Sequence, residues 1–467
     1  MDDIENRTFD EIAIGDTASL TRTLTWQDIQ LFAAMSGDVN PAHVDDEFAR
    51  SDFFHKIIAH GMWGAALIST LLGTVLPGPG TIYLGQTLRF RRPVGLGDTI
   101  SVSVTATAKD AERHRITFDC QCINQAGESV ISGSAEVIAP TEKVKRPRAI
   151  LPEVHLHDHG AHYRHVLALA ADLTPIRVAI VHPVEPHVLL GAIEAAQAGL
   201  IVPVLVGPEA RIHAAAAAAG VDIATYELIA TAHSHAATDC AVAMARAGEV
   251  GALMIDSRHS AELMQATVAE STGLRTGRRM SHVAAIDVPT YPRLLLLTDA
   301  AINVAPTLAE KRDIVQNAID LACVLGIETP RVAILSAVET VNPKIRSSVE
   351  AAAICKMADR GQIAAGIVDG PLAFDTAVSP AAAAAQHLVS PVAGQADILV
   401  APDLEAGALL LKQLEYLAEA QTADLVLGAR VPIVLVSGVD TTLSTRAACA
   451  MASVLAHHKY ASAPAAP

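Results

Sequence analysis

The chain has 467 residues, enough for roughly three folding units at about 150 residues each. Hydrophobic residues make up 51%, charged residues 18% and aromatics only 3%, which excludes a disordered chain and leaves the cores to Ala, Val, Leu and Ile. With 34 basic against 50 acidic residues the formal net charge is −16, so a nucleic-acid or anionic-membrane surface is disfavoured and small anionic ligands need local clusters of Arg and Lys.

The opening MDDIENRTFDEI is acidic, lacks an apolar core and does not read as a signal peptide. Asp28–Met35 predicts a short helix, broken by Gly37–Pro41. GMWGAALISTLLGTVL, Gly61–Leu76, is apolar nearly all round and predicts a helix buried on every side. Ile100, Val102 and Val104 alternate with polar residues, as do Ile116, Phe118, Cys120 and Cys122, and both runs predict half-buried strands. A turn at Asn124–Gly127 leads to a further strand, Val130–Ile138. Residues 1–140 are therefore expected to wrap one buried helix in a curved antiparallel sheet.

Thr141–Pro152 carries Lys143, Lys145, Arg146, Arg148 and two prolines without periodicity, and 141–162 reads as a linker. His155, His157, His159, His162 and His165 crowd there, but no Cys or carboxylate cluster completes a metal site. A solvated approach to a helix is expected, and no metal or other cofactor is assigned to the chain. From 163 to 467 short apolar strands alternate with Ala-rich helices such as Leu189–Ala198. The strands are Val178–Val181, Ile201–Val206, Gly251–Ile255, Leu294–Leu297, Val332–Leu335, Ile398–Ala401 and Ile433–Val436. That alternation predicts parallel sheets in a doubly wound α/β fold of two lobes, with ligands at the carboxyl ends of the strands. No GxGxxG follows a strand and no GxxxxGK occurs, which disfavours a nicotinamide-dependent dehydrogenase. None of the apolar runs is long enough to span a bilayer. Six scattered cysteines (Cys120, Cys122, Cys240, Cys323, Cys355, Cys449) without a CxxC pair read as reduced residues of a cytoplasmic protein.

Two constellations can carry chemistry. In Gly37-Asp38-Val39-Asn40-Pro41-Ala42-His43 an acid and an imidazole stand five positions apart on a segment that Asn-Pro keeps out of a helix, so a loop can aim both at one water. Ala59-His60-Gly61-Met62 opens the apolar helix, where the Gly61 N–H at its positive end can hold a carbonyl oxygen that becomes negative. The second constellation is dispersed. Arg275, Arg278 and Arg279 in LRTGRRMSHV suggest a phosphate-bearing ligand. Asp299 and Asn303 follow a strand, and so do Glu339, Asn342 and Lys344 in LSAVETVNPK.

Phe32–Ser69, together with Ile82-Tyr83-Leu84-Gly85-Gln86 and Arg92-Pro93-Val94-x-x-Gly97-Asp98, resembles the MaoC-like, (R)-specific enoyl-CoA hydratases of hot-dog fold, over most of residues 10–138. The resemblance implies that Asp38 and His43 activate a water that adds across a trans-2-enoyl thioester. It implies that the Gly61 N–H polarises the thioester carbonyl, Ser69 matches a polar position beside the site and Asn40 supports the substrate-binding loop. DGPLAFD, SPVAG and PDLEAG, at Asp369–Asp375, Ser390–Gly394 and Pro402–Gly407, resemble the phosphate acetyltransferase and butyryltransferase family over about residues 165–460. That resemblance implies two α/β lobes related to isocitrate dehydrogenase, and acyl transfer between acyl-CoA and phosphate without a metal. The chain departs from the family in two places: glycine stands where relatives carry Arg after Ser437, and Ile255-Asp256 stands where relatives of the butyryl type carry Lys-Gly. Arg430 and Arg446 are the candidates to replace the lost charge, and Asp440 is a candidate base.

The combined reading is a bifunctional, homo-oligomeric CoA-thioester enzyme. Its runner-up is an active hydratase whose transferase half only binds acyl-CoA and assembles subunits.

Overall fold

The structure is a computed structural model that describes residues 3–151, 154, 156 and 158–462. It divides into two compact units, Met1–Leu156 and His157–Pro467. His155 and His157 of the histidine-rich stretch lie outside the described residues.

The first unit contains strands β1 (Asp3–Glu5), β2 (Thr17–Thr23), β3 (Ile82–Phe90), β4 (Thr99–Asp110), β5 (Arg115–Asn124), β6 (Ser129–Ile138) and β7 (Lys145–Pro147). Its helices are α1 (Trp26–Ser36), α2 (Pro41–Val44), α3 (Asp46–Ser51) and α4 (Gly61–Thr74). Five strands form one antiparallel sheet in the order β2-β4-β5-β6-β3. The alternation read from the sequence sets its inner face. Val102, Val104, Phe118, Cys120, Cys122 and Val137 are buried in one core with Trp63, Ile68, Leu71 and Leu72 of α4. This is the hot-dog arrangement, a helix gripped by a curved sheet.

Helix α4 is not buried on every side. Met62, Ala66, Ser69, Thr70 and Gly73, at helical spacing, form an exposed stripe. Apolar composition all round does not say how many faces the sheet covers, and one sheet covers one side.

The expected linker also begins later than its composition suggests. β7 pairs antiparallel with β1, while the Asn6 side chain donates to Glu142 O at 2.9 Å and accepts from Val144 N at 2.9 Å. Lys143 lies 2.8 Å from Glu11 and 3.3 Å from Glu5. The basic run folds back on the acidic N-terminal segment, a pairing between charges far apart in sequence.

The second unit carries β8 (Ile176–Val181), β9 (Ile201–Gly207), β10 (Glu227–Ala230), β11 (Ala252–Asp256), β12 (Ser281–Asp287) and β13 (Leu295–Thr298). It continues with β14 (Arg331–Leu335), β15 (Ile367–Leu372), β16 (Ile398–Val400), β17 (Gln421–Leu427) and β18 (Ile433–Val436). Among the described residues these form one sheet, in the order β10-β9-β8-β11-β18-β17-β12-β13-β16-β14-β15. β10, β9, β8, β11 and β18 make one parallel block, and β13, β16, β14 and β15 make another. Each block is the sheet of one lobe.

The expectation of purely parallel sheets fails in the middle, where β18-β17-β12-β13 pair antiparallel. β12 and β17 escape the sequence reading because each carries a polar residue inside an apolar strand. His282 and Asp424 meet across the pair at 3.1 Å, so each satisfies the other in the core. Burial pulls the His282 imidazole down, but the Asp424 carboxylate outweighs it and holds the ring above its usual value.

Candidate active sites

In the first unit the local sequence sets the site. α1 is capped by Thr25, which with Asp28 forms a capping box, and it ends at Gly37 with φ +75°, a left-handed conformation that favours glycine. Asp38 follows immediately. The Asn40 side chain accepts from Ala42 N at 3.2 Å and starts the short helix α2, with Pro41 in its first turn. His43 rides on α2. Its Nδ1 lies 2.9 Å from Ile58 O, and because a carbonyl only accepts, Nδ1 carries the proton and Nε2 is bare. Across from it, α4 starts at Gly61 with no side chain closing its first turn. A Cβ on Gly61 would meet the Phe90 ring at 3.2 Å, so glycine keeps the backbone close to its neighbours.

The polar atoms of Asp38, His43 and His60 all lie within 4.8 Å of one another. A cavity of about 300 Å³ opens beside them, lined by His43, His60, Gly61, Trp63, Phe90 and Val94 among others, with Arg91 and Arg92 its cationic members. Asp38 does not line this cavity, but its carboxylate lies close enough to His43 at the cavity's edge for one water to bridge the two, with Gly61 and an apolar wall adjoining. Ser69 is exposed two turns further along α4 and does not line this cavity. His60, read only as part of the helix start, is 2% exposed and stands in the middle of the group. A lone His before Gly carries no signal that could have singled it out.

In the second unit the candidates fall into two groups. The first lies at the start of β12. Asp299 is buried: its carboxylate accepts from Ala301 N and Ile302 N at 2.9 Å each and from the Asn303 amide at 2.6 Å. Asn303 Oδ1 in turn accepts from Arg279 Nε at 2.7 Å. Asp299 and Asn303 thus form a buried spine that aims Arg279. Arg279 also lies 3.2 Å from Glu310, and Arg278 pairs with Asp320. Arg275 has no ion pair among the described residues. The three arginines line a cavity of about 560 Å³ with Thr276, Met280 and Ile302. Beyond β14, Glu339 accepts from the Thr376 hydroxyl at 3.4 Å, and Asn342 closes a turn by accepting from Lys344 N at 3.0 Å.

The second group lies past the end of β18. Ser437 N donates to Asp440 Oδ2 at 2.7 Å. Asp440 lines a cavity of about 190 Å³ with Glu415, Gln421, Thr422 and Ser444. Burial pushes the Asp440 carboxyl up, helped by the nearby Asp424 and Glu415 carboxylates, to about 7. Such a raised group keeps its proton in the folded state at pH values where the unfolded chain has lost it. Stability therefore falls as pH rises from about 4 towards about 7 and levels off above. Asp440→Asn is expected to flatten that fall: melting curves at pH 5 and pH 8 should differ less in the variant than in the wild type.

The two groups sit at opposite ends of the β12–β17 pair, where Ser281 faces Leu427 and Asp287 faces Gln421, about 20 Å of strand apart. Arg430, expected to compensate near Gly438, precedes β18 and is separated from Gly438 by the whole strand, so it does not stand in for a charge there. Arg446 lies on the helix Thr442–Ser462, and its Nε is buried without a hydrogen-bond partner.

The two departures from the family meet. A Cβ on Gly438 would find only His187 Cε1 within 4 Å, at 3.8 Å, and His187 Nε2 lies 3.2 Å from Asp256. Asp256 is 2% exposed; burial raises its pKa, but the Arg258 hydrogen bonds outweigh this and hold it below the usual carboxylate range. Asp256 was singled out by the sequence as part of the Ile255-Asp256 departure; His187 and Arg258 were not, because Arg258 follows Asp256 without a motif and His187 comes from a helix far earlier in the chain.

Comparison with known proteins agrees with both halves. A family model described as "Phosphate acetyl/butaryl transferase" matches residues 234–452, and one described as "MaoC like domain" matches residues 12–123. The phosphate acetyltransferase of Rhizobium meliloti is 52% identical over 299 residues, 64% of this chain and 95% of that protein. A branched-chain phosphotransacylase from Enterococcus faecalis is 29% identical, covering 60% of this chain and 99% of the other, with a TM-score of 0.53. An unliganded R-hydratase from Pseudomonas aeruginosa is 45% identical, covering 33% of this chain and 99% of the other, with a TM-score of 0.32. The chain belongs to the phosphate acetyl/butyryl transferase family and carries a MaoC-like domain ahead of the transferase domain.

Proposed function

We propose that the chain is a bifunctional CoA-thioester enzyme: its first unit hydrates trans-2-enoyl-CoA to (R)-3-hydroxyacyl-CoA, and its second transfers acyl groups between acyl-CoA and phosphate. The observation that carries the hydratase reading is the convergence of Asp38 and His43 on one point beside the open start of α4. Asp38 and His43 hold a water whose oxygen attacks C3. They take up one of its protons and then pass it to C2, and the Gly61 N–H steadies the thioester oxygen while it is an enolate. The apolar wall takes the acyl chain, and Arg91 and Arg92 suit the phosphates of CoA.

The transferase reading rests on family membership, with the Arg275–Arg278–Arg279 cavity as the CoA-phosphate site and Ser437 with Asp440 at the reacting end. A carboxyl poised at about 7 suits a base. Neither reaction calls for a metal or organic cofactor. The test is a panel of enoyl- and acyl-CoA substrates run with and without phosphate. Hydration independent of phosphate, together with acyl phosphate formation that requires it, is expected. No hydration of any enoyl-CoA would overturn the first half, and no acyl phosphate from any acyl-CoA would overturn the second.

We also place the protein in the reducing cytoplasm, on its six unpaired thiols, of which burial pushes Cys120, Cys122 and Cys449 up to about 12. Among the described residues no helix is long and apolar enough to cross a membrane. The edge strand β3 exposes Ile82, Leu84 and Phe90, and α4 exposes Met62, which supports a homo-oligomer that buries them. Light scattering at micromolar concentration should show at least a dimer.

A further inference from the structure

We infer that His60 is a positioning residue of the hydration site: its Nε2–H holds the Asp38 loop, and its ring sets the plane of His43. The inference rests on the hydratase reading and deepens it. His60 is 2% exposed and lines the cavity. Its Nε2 lies 2.9 Å from the backbone carbonyl of Asp38, which only accepts, so the proton is on Nε2. Its Nδ1 is then a bare lone pair, buried without a partner. The ring packs at a tilt against two others, Phe32 with ring centres 4.9 Å and planes 31° apart, and His43 with ring centres 4.0 Å and planes 37° apart. One side chain therefore touches both members of the Asp38–His43 pair: the backbone of the first and the ring of the second.

A phenyl ring would fill this place between Phe32 and His43 without leaving a buried nitrogen unpaired. What a phenyl ring cannot do is hold the Asp38 carbonyl. Asp38 is exposed and follows a left-handed glycine. Among the described residues, Asp38's own ties within its loop are weak: Asp38 N donates to Ser36 Oγ at 3.2 Å, and Asn40 N donates to Asp38 Oδ1 at 3.3 Å. The shorter bond from His60 is what ties this loop to the start of α4, and so sets the carboxylate against both His43 and the Gly61 N–H. Displacing a reacting group by a fraction of an ångström lowers turnover more than it lowers binding.

The test compares His60→Phe, His60→Gln and His60→Asn in the full chain, each checked for folding by its melting temperature. Crotonyl-CoA hydration should fall about 10-fold in kcat for His60→Phe with KM nearly unchanged, the loss of one positioning hydrogen bond. Gln can place its amide N–H where Nε2–H was and should restore most of kcat; Asn is too short and should not. A packing role predicts the reverse order, with Phe the mildest variant. A folded Phe variant as active as the wild type overturns the inference, and so does a Gln variant no better than Asn. If the wild type itself fails to hydrate crotonyl-CoA, the hydratase reading is at fault and not the role of His60.

Discussion

Asp38→Asn and His43→Gln are each expected to lower crotonyl-CoA hydration by about 10²–10⁴-fold, the usual contribution of a positioned proton-transfer group. Both variants should fold. Asp38 is exposed, and neither residue is part of the buried core, so the change removes chemistry without opening a cavity. Gln keeps an N–H that can meet Ile58 O, which preserves the tie that orients residue 43 but removes the bare nitrogen facing Asp38. Acyl transfer to phosphate should be unchanged, because it belongs to the other unit. Near-normal hydration in either folded variant would show that the water is activated elsewhere.

The second large effect concerns phosphate. An Arg–phosphate contact contributes roughly 1.5–3 kcal/mol, so supplying one should lower the phosphate concentration for half-maximal rate by about 10- to 100-fold. Gly438 has room for it, since only His187 lies within 4 Å of the added Cβ. Asp256 stands just beyond His187, however, and a new guanidinium would be drawn to that buried carboxylate. Gly438→Arg alone is therefore expected to give a smaller gain than Gly438→Arg combined with Asp256→Gly. Arg446, whose Nε has no hydrogen-bond partner, is the remaining candidate for the present phosphate contact, and Arg446→Ala should abolish acyl phosphate formation. Efficient transfer at low phosphate in the wild type, unaffected by Arg446→Ala, would overturn this map of the anion site. Hydration serves as the internal control in every case.

What the sequence determined by itself was local. Asp38 and His43 stand five residues apart on a loop that Gly37 and Asn40-Pro41 shape, and α4 begins at Gly61. Turn and cap chemistry act over a few residues, so both features were legible. The period-2 alternation of β4 and β5 placed Cys120 and Cys122 on one buried face for the same reason. Where interactions join distant segments, the sequence was silent or misleading. β12 and β17 looked too polar for core strands until His282 met Asp424. The basic stretch after residue 141 looked like free linker until Lys143 met Glu5 and Glu11. Asp299 and Asn303 looked like cleft residues, but the fold buries them beneath Arg279. His60 was only one residue of the helix start until its ring met that of His43. The meeting of Gly438 with His187 and Asp256 joins three chain segments through the side-by-side pairing of β11 and β18. A polar or charged group's role depends on its partner. When that partner lies on another segment of the chain, only the tertiary structure brings the two together.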